Sequence, residues 1–197
     1  MEFKFKNIGI SGVAGSGKNT LAELIGLFLT RMGLPVEERA LAHNLKSEVR
    51  SACKELYSID PLTCSRDDKD LIRPILVAHG EIKRKSSLGK HWTGLLEKDL
   101  DRSKVNIITD IRYNEYPQDE CYWLKNQING ILIHVSRYQE VGEERVFVKP
   151  ANIHELQNDS KVRKDSDYIL NWKTEKDQNR LVINSKSLFK WLKKVYK

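Results

Sequence analysis

Residues Gly12 to Thr20 read GVAGSGKNT, and they stand between a short apolar run, Ile8, Gly9 and Ile10, and the apolar stretch Leu21 to Leu29. A strand, a glycine-rich loop and a helix in that order leave few folds open. Glycines at 12, 15 and 17 let the backbone take positive φ and turn its N–H groups inward, and the helix that follows adds the positive end of its dipole. Such a loop cradles an anion, and Lys18 adds a mobile point charge for the outer groups of a polyphosphate. A glycine-rich turn that holds nothing is the bland alternative, disfavoured by the strand before it and the helix after it.

The spacing satisfies the Walker A pattern with one departure: the position after the lysine is Asn19, and the hydroxyl comes one later, at Thr20. The form GxxGxGKxT is similar to that of adenylate kinase and other nucleoside monophosphate kinases. That similarity implies ATP with Mg2+, the triphosphate held by Gly12, Gly15, Ser16, Gly17, Lys18, Asn19 and Thr20, and the metal met by Thr20.

The chain has 197 residues, of which 40% are hydrophobic, enough for one compact domain with a small inserted subdomain. No run is long enough to cross a bilayer, and Phe3, Lys4, Phe5 and Lys6 alternate instead of forming a signal sequence. The expectation is a cytoplasmic chain, in the host cytoplasm for a viral source, with no membrane partner. Cys53, Cys64 and Cys121 are far apart and without a CxxC pair, which argues against a disulfide framework or a zinc site. The net charge of +7 collects at Lys83–Lys85, Lys161–Lys164 and Lys190–Lys197. Solvated faces explain these groups more simply than a nucleic-acid partner does.

Periodicity and Gly/Pro punctuation predict strand 6–11, helix 19–32 closed by Gly33, strand 36–41 and helix 44–57. Helices near 68–79 and 91–101, strand Val105 to Thr109, a helix near 116–127 and strand Ile131 to Val135 follow. The order implies an α/β fold of three layers, a mostly parallel sheet flanked by helices. The charged stretch from Ser136 to Pro150 has no apolar period and reads as a mobile lid, 137–150; a strand, Tyr168 to Asn171, follows the polar segment 152–166. Ser187 to Tyr196 is an amphipathic helix whose Leu188, Trp191, Leu192 and Val195 suit docking onto the sheet.

Asp110 and Arg112 stand where strand 105–109 ends, at the carboxyl edge where open α/β sheets bind ligands. Asp110 suits a magnesium water shell and Arg112 a forked grip on phosphate oxygens. An Asp–Arg ion pair that only anchors the strand end is the alternative.

The segment IITDIRYNEYPQDE resembles the DVRFxxE segment of phage-type deoxynucleoside monophosphate kinases. LAHNLKSEV, 41–49, resembles that family's ADPLK segment, and RPILVAHGEIKR, 73–84, followed by His91-Trp92, resembles R..LQ..G.E..R...W. ILIHVSR is similar to the strand leading into the lid, and NIHELQNDS and DYILN to the HxSE and D.vi.N endings. These segments run in the family's order across most of residues 7 to 171. The chain departs from the pattern at His43-Asn44, where the family has Asp-Pro, and in a polar insertion from Lys173 to Arg180.

The resemblance implies a single P-loop kinase domain, 1–197, with a helical insertion for the monophosphate over about 36–92. It places Lys46, Arg73, Glu81, Arg84 and Trp92 at the acceptor nucleotide, with Arg112, Arg137 and Arg145 near the transferring phosphate. Taken alone, Lys46 reads equally as a solvated helix residue and Glu81 as a lysine's partner, while Arg73 and Arg84 read first as surface charges and Trp92 as core. The implied partners are ATP and a deoxynucleoside monophosphate, with a homodimer left open. A dephospho-coenzyme A or phosphomevalonate type of kinase shares the loop, and so does a nucleotide-dependent nucleic-acid-binding protein. No NKxD or DxxG motif supports a GTPase.

Overall fold

Asn7–Ser11 (β1) is buried at every position, the pattern of a strand whose sheet is covered on both faces. The computed structural model, which describes residues 2–175 and 177–197, sets β1 between two parallel neighbours. Val105–Ile111 (β3) pairs Ile107 with Ile8, and Gly130–Val141 (β4) pairs Ile131 with the same residue. Val36–Ala40 (β2) lies beside β3, while β4 pairs in parallel with Tyr168–Lys173 (β6) and antiparallel with Glu144–Phe147 (β5). The sheet is six-stranded and mostly parallel, as the alternation of strand and helix signals implies.

Alternation along each strand decides which helix covers which face. Ile8, Ile10, Ile107, Ile133 and Val135 join one buried cluster with Leu21, Ile25 and Leu29 of Lys18–Arg31 (α1) and Leu188 and Leu192 of Lys186–Val195 (α8). Each such side chain contributes about 1.5–3 kcal/mol on leaving water. On the other face, a Cβ on Gly9 would stand 2.3 Å from Leu124 Cδ2, so glycine is what admits that leucine. The amphipathic C-terminal segment therefore docks where its apolar stripe directs it.

The remaining helices are Ala42–Tyr57 (α2), Arg66–Ser87 (α3), Lys90–Lys98 (α4), Glu120–Tyr122 (α5), Ile153–Lys164 (α6) and Gln178–Asn184 (α7). The chain divides into two compact units, one up to Arg39 and from Asp101 onward, the other Ala40–Leu100. The second unit holds α2, α3 and α4 around Val49, Cys53 and Ile72. It begins after the expected 36 because β2 belongs to the sheet, and it runs past 92 because α4 continues to Lys98.

Several segments differ from their sequence reading, among them α7, which begins inside the polar stretch 173–180. α3 passes Gly80 and runs to Ser87, since a Cβ there would stand 2.7 Å from Leu45 Cδ1: this glycine serves packing and ends nothing. Asp119 caps α5 through the Glu120 N–H, and the helix continues as a π-helical turn, Trp123–Gln127, so 116–119 stays outside it. The expected lid is a β-ribbon: β4 runs on to Val141, turns at Gly142 with φ +63, and returns as β5, Tyr138 packing on Phe147. The polar segment 152–166 contains α6, started by Asn152, whose side chain accepts the Glu155 N–H at 2.9 Å. No helix among the described residues is long and apolar enough to cross a membrane. Cys53, Cys64 and Cys121 are free thiols.

Candidate functional site

Loop 12–17 turns on Gly12 at φ +135, Gly15 at +81 and Gly17 at +94. Two of these glycines are also required by space: a Cβ at Gly12 would stand 2.2 Å from the Val135 carbonyl oxygen, and one at Gly17 2.6 Å from Trp172 Cζ2. α1 then begins at Lys18 with no side-chain cap among the described residues, which leaves its first-turn N–H groups to an anion. Asn19 is exposed and Thr20 half-buried in that turn, while Ser16 is buried with no partner for its hydroxyl among the described residues.

Lys18 folds back across the loop. Its Nζ donates to the carbonyls of Gly12 at 2.8 Å and Val13 at 3.0 Å, and lies 3.8 Å from Asp110 Oδ1. Burial first, and the charge of Arg112 second, bring its pKa down from 10.5 to about 8, against the opposing pull of Asp110, Glu155 and Asp159. A polyanion in the loop would reverse that shift, since opposite charge favours the ammonium form.

Asp110 owes its position to a bulge. Ile10 faces Thr109 and Ser11 faces Ile111, so Asp110 is the extra residue of β3, held at φ +69. A non-glycine residue there costs about 1–2 kcal/mol, and the cost places its carboxylate between Lys18 and Arg112. Arg112 Nη2 donates to Asp110 Oδ1 at 3.1 Å, and Nη1 donates to Glu155. Burial alone would favour a neutral guanidine, but Asp110 and Glu155 outweigh it and hold the arginine pKa above its usual value. The Asp–Arg pair is thus present, and Asp110 also lies 3.8 Å from the lysine of the glycine loop.

Two carboxylates that the sequence reading passed over complete the cluster. Glu155 Oε2 accepts the Ala14 N–H of the glycine loop at 3.3 Å and the Ala151 N–H at 2.9 Å. Glu120 Oε2 accepts the backbone N–H groups of Arg112 at 2.6 Å and Tyr113 at 3.0 Å, fixing where the guanidinium starts. The signal for Glu155 was its place three residues after the helix-starting Asn152, a capping spacing; nothing in sequence pointed to Glu120.

Other expected site residues have other surroundings. Arg137, on β4, donates from Nε to Thr174 Oγ1 at 3.0 Å, and Arg145, exposed on β5, stacks its guanidinium 4.8 Å from the Tyr138 ring centroid. In the second unit, Lys46 is half-buried on α2, Arg73 pairs with Asp70, Glu81 pairs with Lys85 at 2.6 Å, and Arg84 is buried. Trp92 is 4% exposed, its ring edge-on to His91 and its N–H donating to the Gly80 carbonyl at 3.4 Å. These contacts place the tryptophan in the unit's core.

No protein-family model matches the chain, and no curated protein does. Among solved structures, the chain is similar to thymidylate kinase from Ehrlichia chaffeensis at 16% identity and TM-score 0.46, over 95% of this chain and 98% of that one. It is also similar to a gluconokinase from Sinorhizobium meliloti 1021 at 11% identity and TM-score 0.38, over 98% and 95% of the two chains.

Proposed function

We propose that this chain is an ATP-dependent kinase whose acceptor is a deoxynucleoside monophosphate. The observation that carries the reading is the convergence of Lys18, Asp110 and Arg112 beside a glycine loop with positive φ at three glycines that leads into a helix start with no side-chain cap. The acceptor class rests on the family resemblance of the segments from Leu41 to Asn171.

Residues 12 to 20 hold the triphosphate through loop amides and the start of α1, with Lys18 on the outer phosphates. Thr20 and Asp110 offer the hydroxyl and carboxylate oxygens that a hard divalent cation takes, and Mg2+ usually needs only one or two protein groups beside its waters and phosphates. When bound, Mg2+ would neutralise charge on the phosphate oxygens. Arg112, with Arg137 and Arg145 brought in from the ribbon, would counter the charge of the transferring phosphoryl group. The family resemblance gives Lys46, Arg73, Glu81 and Arg84 to the acceptor, and closure of the ribbon would exclude water.

A phosphate oxygen of the acceptor is already anionic, so transfer needs positioning and charge neutralisation and no general base. His134 fits this account as a structural residue: it is buried, with Nε2 3.1 Å from Asp159 Oδ1. The test is a coupled ADP-release assay across deoxy- and ribonucleoside monophosphates with a no-acceptor control. The reading predicts release stimulated by at least one deoxynucleotide. Release no faster than the control with every monophosphate would reject it.

A further inference from the structure

Glu155 sits where an anion belongs. Its carboxylate accepts the Ala14 N–H from within the phosphate loop, and the same carboxylate is the second partner of Arg112. Ala14 lies in the first half of the loop, while the start of α1 forms the other end. In such loops the lysine reaches the β- and γ-phosphates, and here Lys18 leans toward Asp110, which is itself bonded to Arg112. With loop 12–20 read as the triphosphate site, Glu155, one bond further along that chain of contacts, lies on the side where a third phosphate would come. The carboxylate is 6% exposed, so an incoming phosphate must displace it before taking its partners.

We propose that Glu155 is a specificity residue that discriminates the outermost phosphate: a γ-phosphate competes with its carboxylate for the Ala14 amide and for Arg112, and a diphosphate does not. This rests on the reading of loop 12–20 as the ATP site. ATP binding displaces Glu155 and releases Arg112 to the phosphate about to move. With ADP in the loop, Glu155 returns to Ala14 and Arg112. The carboxylate thus weakens ATP relative to ADP and couples the position of Arg112 to the presence of a third phosphate.

A purely structural role is the competing account, because Glu155 also bonds the Ala151 N–H at the start of α6. Glu155→Gln separates the two: the amide oxygen can still accept both N–H groups, but the charge that holds Arg112 and repels a phosphate is gone. Glu155→Asp keeps the charge and is one methylene too short to span the same partners. Dissociation constants for ATP and ADP are measured by calorimetry on the wild-type chain and both variants, after thermal unfolding has shown each to be folded. The expected result is ATP binding tightened by about tenfold in Glu155→Gln and by less in Glu155→Asp, which keeps the repelling charge, with ADP affinity within about twofold of wild type in both. In the wild-type chain, the carboxyl-carbon resonance of Glu155 should move with ATP and stay with ADP, a measurement that needs no variant. Equal effects on the two nucleotides, or none, overturn the proposal and leave the helix-starting role. Failure of the wild-type chain to bind either nucleotide overturns the ATP-site reading and this inference with it.

Discussion

The indole N–H of Trp172 donates to the carbonyl of Ser16 at 3.0 Å, tying β6 to the glycine loop. The same ring forbids a side chain at Gly17, so β6 forms the back wall of the loop. Trp172→Phe removes the donor and leaves a buried carbonyl unpaired, with a loss of about 1–3 kcal/mol. Chemical denaturation measures it, and a loss below about 0.5 kcal/mol would mean that the loop needs no such support.

Gly9 carries a second packing prediction. A methyl group at that position meets Leu124, which is packed and unable to retreat freely. Gly9→Ala is expected to cost about 1–3 kcal/mol, the range for an overfilled core. Unchanged stability in denaturant would show that the π-helical turn can shift away from the sheet.

Arg112→Ala should lower turnover by about two orders of magnitude or more, as for charges that act on a transition state. The substitution also leaves Asp110 and Glu155 without their shared partner, so steady-state kinetics must be read on protein shown to be folded. Activity within a few-fold of the parent would reduce Arg112 to an anchor of the strand end.

Lys18 predicts a pH dependence with a definite sign. The free ammonium loses its proton near pH 8, and a bound triphosphate holds that proton to higher pH. Binding above about pH 8 therefore takes up a proton, and ATP affinity should fall by up to about tenfold per pH unit. Below about pH 7 both states are protonated and this group contributes no slope. Affinities measured from about pH 6.5 to 9.5 should bend near 8 in the parent and stay flat in Lys18→Met; a flat parent profile would contradict the assignment.

The architecture was legible because its signals are local. Apolar runs such as Val105 to Thr109 and the glycine loop fix strand, turn and helix within a dozen residues, and the apolar stripe of the last helix fixes its docking side. The ribbon was missed because Tyr138, its buried residue before the turn, stands among charged neighbours, and its ring partners Phe147 and Arg145 lie across the hairpin. α6 was missed because its buried residues include Glu155 and Asn158, which sequence counts as polar. At the site, Lys18, Asp110 and Arg112 were readable from their places at a loop and a strand end. Glu120 and Glu155 were not, since each acts by bonding backbone N–H groups elsewhere in the chain, and only the fold brings those groups within reach.

The most direct measurement follows the phosphoryl group itself. ATP labelled at the γ-phosphate is incubated with the chain, Mg2+ and each deoxynucleoside monophosphate in turn, and the products are separated. The account predicts label in a deoxynucleoside diphosphate, lost in Lys18→Ala. Label that stays in ATP, or appears only as inorganic phosphate with every acceptor, would contradict it.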